Sequence, residues 1–581
     1  MENSAPSHLE QRLVGHLQVL YPNIDSGELA RKCLSTFNLD PKTDSPKPHR
    51  NLWNQSDIML ITYADSLREK DKAPLETLNT FLKSRLTESI SAVHLLPFFP
   101  YSSDDGFSVI DYTTVNPSSG QWEHVSEIAK RFKVMGDLVI NHCSSRSMWF
   151  DNYKKGQSPG VGYFYESDPE ADLSSVVRPR TSPLLREVQT ADGVKYVWCT
   201  FSHDQVDMNF ENPEVLLEFL GIIRLYLEKG IRWFRLDAVA FLWKSPGTSC
   251  INLPNTHEMI RLLRLMIEHW APNAVIITET NIPNQENLTY FGNANEAHLI
   301  YNFSLPPLLI NTLVTGSCVH LKNWLMRMPP AQQGTTYLNF VASHDGVGLR
   351  PTEGLLSEWE LDTLINTMKK FGGRISSRTT ADGEVKPYEI NISLWDALSG
   401  SVQAGPDQFQ FARFLCAAGV QMALEGVPAF YIHSLLGTQN DYDRVENTGQ
   451  FRSINRHIWD MEDLEEKLNS ETHHQKVFAG ITRLAKIRRA QPAFHPNATQ
   501  YIMHMRDNLF AFWRQSLDRQ QSLFAIYNIT SEPQSFNLAE LNLIATDDWT
   551  DLLTDQVYED RLANVTLRPY QFLWLANKKR N

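Results

Sequence analysis

Asp237 closes the run Ile231-Arg-Trp-Phe-Arg-Leu-Asp237, in which Ile231, Trp233, Phe234 and Leu236 are strand formers and Arg235 stands two residues before the carboxylate, on the same face. One such pair can simply close a strand. Three further runs end the same way, however: Asp137-Leu-Val-Ile-Asn-His142, Val275-Ile-Ile-Thr-Glu279 and Tyr337-Leu-Asn-Phe-Val-Ala-Ser-His344-Asp345. With Asp104, the run ends supply Asp237, Glu279, Asp345, Arg235, His142 and His344 to one prospective pocket. Breaking a glycosidic bond requires a carboxylate nucleophile below the anomeric carbon, a protonated carboxyl above it and negative charge near an oxocarbenium-like transition state, and this set contains all three. Asp237 beside Arg235 is expected to be the ionised nucleophile. Glu279, after the apolar Val275-Ile-Ile, is expected to be the acid/base, with drier surroundings raising its pKa.

Such groups converge only if the runs are neighbouring parallel strands. Strand-like runs fall near 58–63, 92–97, 137–141, 231–237, 275–280, 299–303, 337–342 and 428–432, separated by helical stretches such as 75–86, 213–229 and 255–270. This alternation predicts an α/β fold of βαβ units. Eight strands is the number that closes a (β/α)8 TIM barrel, whose strand C-termini open onto the loops that carry chemistry. Two spacers, about 143–202 and 346–408, are too long for simple loops and are expected to be inserted lid subdomains. The expected order is a helical leader over 1–54, with Leu9, Leu13, Leu17 and Leu20 at helical spacing; a catalytic barrel over 55–494; and a C-terminal antiparallel β domain over 495–581, from runs such as Leu509-Phe-Ala-Phe-Trp513.

Composition narrows the setting. The 581 residues carry a net charge of −13, which argues against nucleic acid as a partner. No apolar run approaches the ~18 residues of a membrane span, and Met1-Glu-Asn-Ser-Ala-Pro6 has neither a basic nor an apolar leader segment, so a cytoplasmic location is expected. Cys33, Cys143, Cys199, Cys250, Cys318 and Cys416 show no CxxC pair or metal spacing and read as free thiols. Met135, Met148 and Met208 fit core packing, His257 and His298 ordinary structural roles, and Gly346 and Gly348 form no phosphate loop.

The four runs, together with Asp104-Asp-Gly-Phe107, resemble the signature regions of the α-amylase clan of glycoside hydrolases, over roughly residues 55 to 578. The resemblance implies Asp237 as nucleophile, Glu279 as acid/base and Asp345 as transition-state stabiliser. Asp104, His142, Arg235 and His344 would hold the glucosyl ring, and Phe107 would be an aromatic platform against it. Within the clan, His94-Leu-Leu-Pro-Phe-Phe-Pro100, Arg178-Pro-Arg180, Gly247-Thr-Ser-Cys250, Phe303-Ser-Leu-Pro-Pro307, Ser343-His-Asp-Gly-Val-Gly348 and Arg452-Ser-Ile-Asn-Arg456 look like the sucrose phosphorylase subfamily. That subfamily exchanges glucosyl between an α-glucoside and inorganic phosphate through a covalent intermediate, without cofactor or catalytic metal, although Asn141 occupies a position that often helps bind calcium in true amylases.

The leader and Val177-Arg-Pro-Arg-Thr-Ser-Pro-Leu-Leu185 are more similar to the branch acting on glucosylglycerol or glucosylglycerate. 2-O-α-Glucosylglycerol is the first expectation, with glucosylglycerate, sucrose, and hydrolase or transglucosidase activity as alternatives. Arg180 and Arg452 are the candidate phosphate cations, and Tyr388 and Glu389 candidates for the +1 subsite. A non-catalytic, membrane-associated relative is set aside because the carboxylates are present and a span is not. The expected partners are small molecules only, for a monomer or homodimer.

Overall fold

A computed structural model describes residues 7–379, 384–541, 543 and 547–579; residues 1–6, 380–383 and the remaining C-terminal positions lie outside it. Eight parallel strands close a barrel: β1 (Met59–Thr62), β2 (Ala92–Leu95), β3 (Lys133–Leu138), β4 (Ile231–Leu236), β5 (Val275–Thr278), β6 (Leu299–Tyr301), β7 (Thr336–Asn339) and β8 (Val427–Tyr431). Each strand pairs with its neighbours in sequence, and β8 pairs with β1. The strands are buried nearly throughout, as expected for a sheet covered on both sides.

One boundary differs from the sequence reading. The third strand is Lys133–Leu138, so Val139, Ile140 and Asn141 follow the ladder although all three are buried. The apolar run thus marked burial at the barrel mouth rather than pairing. Pairing begins at Lys133, opposite Ala92 of β2, in a stretch of mixed polarity.

The leader residues fold as α1 (His8–Leu20) and α2 (Ser26–Phe37), with Leu9, Leu13, Leu17 and Leu20 buried as their spacing predicts. They pack on two barrel helices, α3 (Pro213–Glu228) and α4 (Pro254–Trp270). Polar contacts fix both: His16 Nδ1 lies 2.7 Å from Glu258 of α4, and Arg224 of α3 donates to the Thr36 carbonyl at 3.0 Å. Asn212 caps α3 by accepting from the Glu214 N–H, with Pro213 in the first turn where no donor is missed.

The stretch 143–202 contains a helix (Met148–Lys155) and an antiparallel hairpin, Leu185–Thr190 with Gly193–Trp198. The stretch 346–408 contains the strand Val347–Gly348, which pairs with Val385–Asn391, itself paired with Arg374–Thr379. After β8 the chain ends in a five-stranded antiparallel sheet that includes Leu509–Gln515, Ser522–Asn528 and Phe572–Lys579. All six cysteines are buried and free. Among the described residues no helix is long and apolar enough to cross a membrane.

Candidate active site

The barrel hydrogen bonding runs one residue past two of the strand ends, and this fixes two of the expected carboxylates. The N–H of Asp237 donates to Leu138 O, and that of Glu279 to Leu236 O, each at 3.1 Å. Both side chains therefore project at the same level of the barrel mouth from adjacent strands. Arg235, buried on β4, joins them: Nη1 donates to Asp237 Oδ1 at 2.6 Å and also to Asp137 of β3, while Nη2 lies 3.8 Å from Glu279 Oε2. Asp137 is held from its other side by His94 Nε2 of β2 at 2.7 Å. The guanidinium thus has a fixed counter-charge beneath it, so it remains in place whether or not Asp237 is ionised.

Asp104 is presented by a tight turn after β2. Asp104 and Asp105 have φ of 54° and 46°, and Gly106 has φ of 114°. A Cβ on Gly106 would lie 2.6 Å from the Pro97 carbonyl oxygen, so only glycine allows this turn. Arg456 secures the turn through Asp105 at 2.8 Å and donates its Nε–H to the His344 carbonyl at 2.9 Å. His142 begins a short strand after β3, and its Nε2 meets the Phe107 carbonyl at 3.0 Å. Phe107 stacks on His344 with centroids 5.0 Å apart and planes 6° apart.

These groups line one cleft at the C-terminal ends of the strands. It gathers Asp104, Phe107, His142, Arg180, Arg235, Asp237, Glu279, His344, Asp345, Tyr388 and Arg452. Glu389 alone of the expected residues is not on its wall. It lies beneath, bound through both oxygens to Arg452 at 2.9 and 2.6 Å. Arg452 in turn holds Asp345 Oδ1 at 2.6 Å, so its charge is divided between two carboxylates. Arg180 is different: among the described residues it has no ion pair or hydrogen bond, and its guanidinium lies over the rings of Phe201 and Tyr388 at 5.8 and 5.6 Å.

Sequence reasoning missed Gln205, whose Nε2 bridges toward Asp104 and His142 at 3.5 and 3.3 Å, and Arg350, which also lines the cleft. Neither stands at the end of an apolar run, so no local signal marked them.

Burial raises the pKa of both Asp237 and Glu279, and Arg235 pulls each back. Dryness therefore does not distinguish them, contrary to the sequence expectation; the distance to Arg235 does. Burial also opposes ionisation of Asp345, but the guanidinium groups of Arg452, Arg235 and Arg456 together hold its carboxyl well below the usual range. Burial pushes the His344 and His142 pKa values down, leaving both imidazoles neutral at pH 7.

Asn141 has acquired an internal cation. Lys244 Nζ lies 2.8 Å from Asn141 Oδ1 and 2.9 Å from the buried carboxylate of Asp207, with the Lys244 side chain 2% exposed.

A parallel eight-stranded barrel with this set of carboxylates at its mouth defines an α-amylase-type glycoside-active enzyme. The family described as "Alpha amylase, catalytic domain" matches residues 87–348. The chain is 39% identical, over 98% of its length and all of the relative, to the glucosylglycerate phosphorylase of Escherichia coli (strain K12). It is 28% identical to the glucosylglycerol phosphorylase of Marinobacter adhaerens, over 75% of this chain and 88% of that one. In fold it resembles sucrose 6F-phosphate phosphorylase from Thermoanaerobacter thermosaccharolyticum, with a TM-score of 0.71 at 24% identity, over 82% of this chain and 94% of that one. The chain belongs to the sucrose phosphorylase-like subfamily of the α-amylase clan, and it is a glycoside phosphorylase, transferring glucosyl to phosphate.

Proposed function

We propose that the chain catalyses the reversible phosphorolysis of 2-O-α-D-glucosylglycerate to α-D-glucose 1-phosphate and glycerate, with retention at the anomeric carbon. The observation that carries the choice of substrate is the end-to-end similarity to a glucosylglycerate phosphorylase, at 39% identity, against 28% for a glucosylglycerol phosphorylase. This replaces glucosylglycerol, the first expectation from sequence. The unpaired Arg180 in the cleft agrees in charge, because a glycerate leaving group is anionic and glycerol is neutral.

In this reading Asp237 attacks the anomeric carbon as Glu279 gives its proton to O2 of glycerate. The C1–O bond breaks and a glucosyl ester of Asp237 forms. Glu279 then accepts a proton from phosphate as a phosphate oxygen displaces Asp237. The two raised carboxyls share one proton before the first step. Direct hydrogen bonding at 2.6 Å keeps Asp237 ionised, and Glu279, 3.8 Å from the guanidinium, carries the proton. Asp345, held ionised by Arg452, faces the oxocarbenium-like transition state. Asp104, His142, Arg235 and His344 bind the glucosyl hydroxyls, Phe107 backs the ring, and Tyr388 borders the leaving group. Glu389 acts indirectly, by orienting Arg452.

The test is an acceptor panel in the synthetic direction, with glucose 1-phosphate as donor and glycerate, glycerol or fructose as acceptor. A clear preference for glycerate is expected; preference for glycerol or fructose sinks the substrate assignment. Free glucose as the main product in phosphate buffer would point to hydrolysis.

A further inference from the structure

Arg350 lines the cleft together with Arg180 and Tyr388. It opens the 3₁₀ turn Arg350–Thr352, directly after the strand Val347–Gly348, whose partner strand carries Tyr388 and Glu389. Leu349 N–H donates to the Tyr388 carbonyl at 3.0 Å, Thr352 Oγ1 to the Leu349 carbonyl at 2.6 Å, and Ser304 Oγ to the Pro351 carbonyl at 3.0 Å. The backbone on both sides of Arg350 is therefore pinned, and Tyr388 is fixed to the same hairpin.

The guanidinium, by contrast, has no hydrogen bond among the described residues. Its Nε is buried and unpartnered, and the side chain is 13% exposed. The nearest carboxylate, the half-exposed Glu353, stands 3.9 Å away and holds Arg378 at 3.1 Å instead. Of the four arginines on the cleft wall, Arg235 and Arg452 are neutralised by buried carboxylates, and Arg180 and Arg350 are not. A buried donor with no acceptor, as at Arg350 Nε, is costly, and two guanidinium groups on one cleft wall, neither hydrogen-bonded among the described residues, fit a ligand with several anionic oxygens.

We infer that Arg350 contacts the carboxylate of the glycerate leaving group, completing with Arg180 a two-cation seat, and makes the site prefer an anionic acceptor over a neutral one of the same carbon skeleton. This rests on the proposed glucosylglycerate reaction, because with a neutral leaving group only phosphate would draw on Arg350. The same seat receives phosphate once glycerate has left, so the two anions occupy it in turn.

The test is a competition. D-Glycerate and glycerol are supplied together with glucose 1-phosphate, and glucosylglycerate and glucosylglycerol are counted. Both acceptors draw on one glucosyl-enzyme, so the product ratio is independent of donor binding and of the amount of folded protein. The wild type should favour glycerate, Arg350→Gln should lower that ratio roughly 10-fold or more, and Arg350→Lys should restore part of it. A wild type that favours glycerate with an unchanged ratio in Arg350→Gln overturns the role of Arg350 and leaves the proposed function standing. A wild type with no preference for glycerate overturns both. Loss of all product from both variants at a normal melting temperature, persisting when α-glucosyl fluoride replaces glucose 1-phosphate as donor, would assign Arg350 to the glucosyl half and likewise overturn the proposal.

Discussion

Replacing Arg180 by Ala separates the two halves of the reaction. Among the described residues the side chain has no ion pair or hydrogen bond, so truncation leaves no buried carboxylate there stranded; what it removes is the proposed contact to the ligand and the packing over Phe201 and Tyr388. A charge-assisted hydrogen bond contributes about 1.5–3 kcal/mol. At 1.4 kcal/mol per factor of ten, kcat/KM for phosphate should fall roughly 10- to 150-fold. Water needs no cation to reach the anomeric carbon, so the ratio of free glucose to glucose 1-phosphate, at fixed subsaturating phosphate, should rise by the same factor. Two products are read from one incubation with an α-glucoside, and the burst of leaving group reports the first half-reaction, which should fall less. A product ratio unchanged within a factor of two, with phosphate saturating as in the wild type, would refute a phosphate role for Arg180.

Asp237→Asn should abolish turnover without unfolding the chain, and Glu279→Gln should spare donors whose leaving groups need no protonation; a trapped adduct on another residue, or equal losses for activated and natural donors, would count against these roles. Arg452→Ala strands the carboxylates of Asp345 and Glu389, so it should cost about 3–5 kcal/mol in denaturant unfolding and slow both half-reactions, unlike Arg180→Ala. A chelator should leave the melting temperature and activity unchanged while Lys244→Met, which uncovers Asp207, lowers the melting temperature; inactivation by EDTA that calcium reverses would contradict this. Burial holds His298 and His474 at about 4 and His433 at about 3, against 6.5 when unfolded. Below pH 6.5 the unfolded chain therefore binds protons that the folded chain refuses, so stability should decline steadily as pH falls from about 6.5 toward 3–4, seen as a falling melting temperature.

The strands and their terminal carboxylates were legible because burial on both faces writes a strand as an apolar run, and a charge at its end stands out. Val139-Ile-Asn141 shows the limit, since an apolar run also records buried backbone outside the ladder. The barrel mouth could be read one residue at a time, but pairings could not. Arg452 looked like a free cation because nothing local reveals that Glu389, 63 positions earlier, takes up two of its donors. Arg350 was overlooked for the converse reason: its distinction is a guanidinium with no hydrogen bond among the described residues, and a sequence records no absence of contact. Lys244 and Asn141 likewise meet across 103 positions.

In the proposed reading Asp237 and Glu279 act from the ends of barrel strands, whereas Arg180, Arg350 and Tyr388 belong to the two long insertions. A lineage can therefore change what leaves the sugar by exchanging insertion sequence, while inheriting the glucosyl machinery intact. One codon in the second insertion is not free to drift. Glu389 anchors Arg452, and through it Asp345, so a duplicated gene exploring new acceptors can vary Tyr388 but must keep the residue beside it. Along this strand Tyr388 borders the cleft while Glu389 holds Arg452, so two adjacent positions are expected to tolerate substitution very differently.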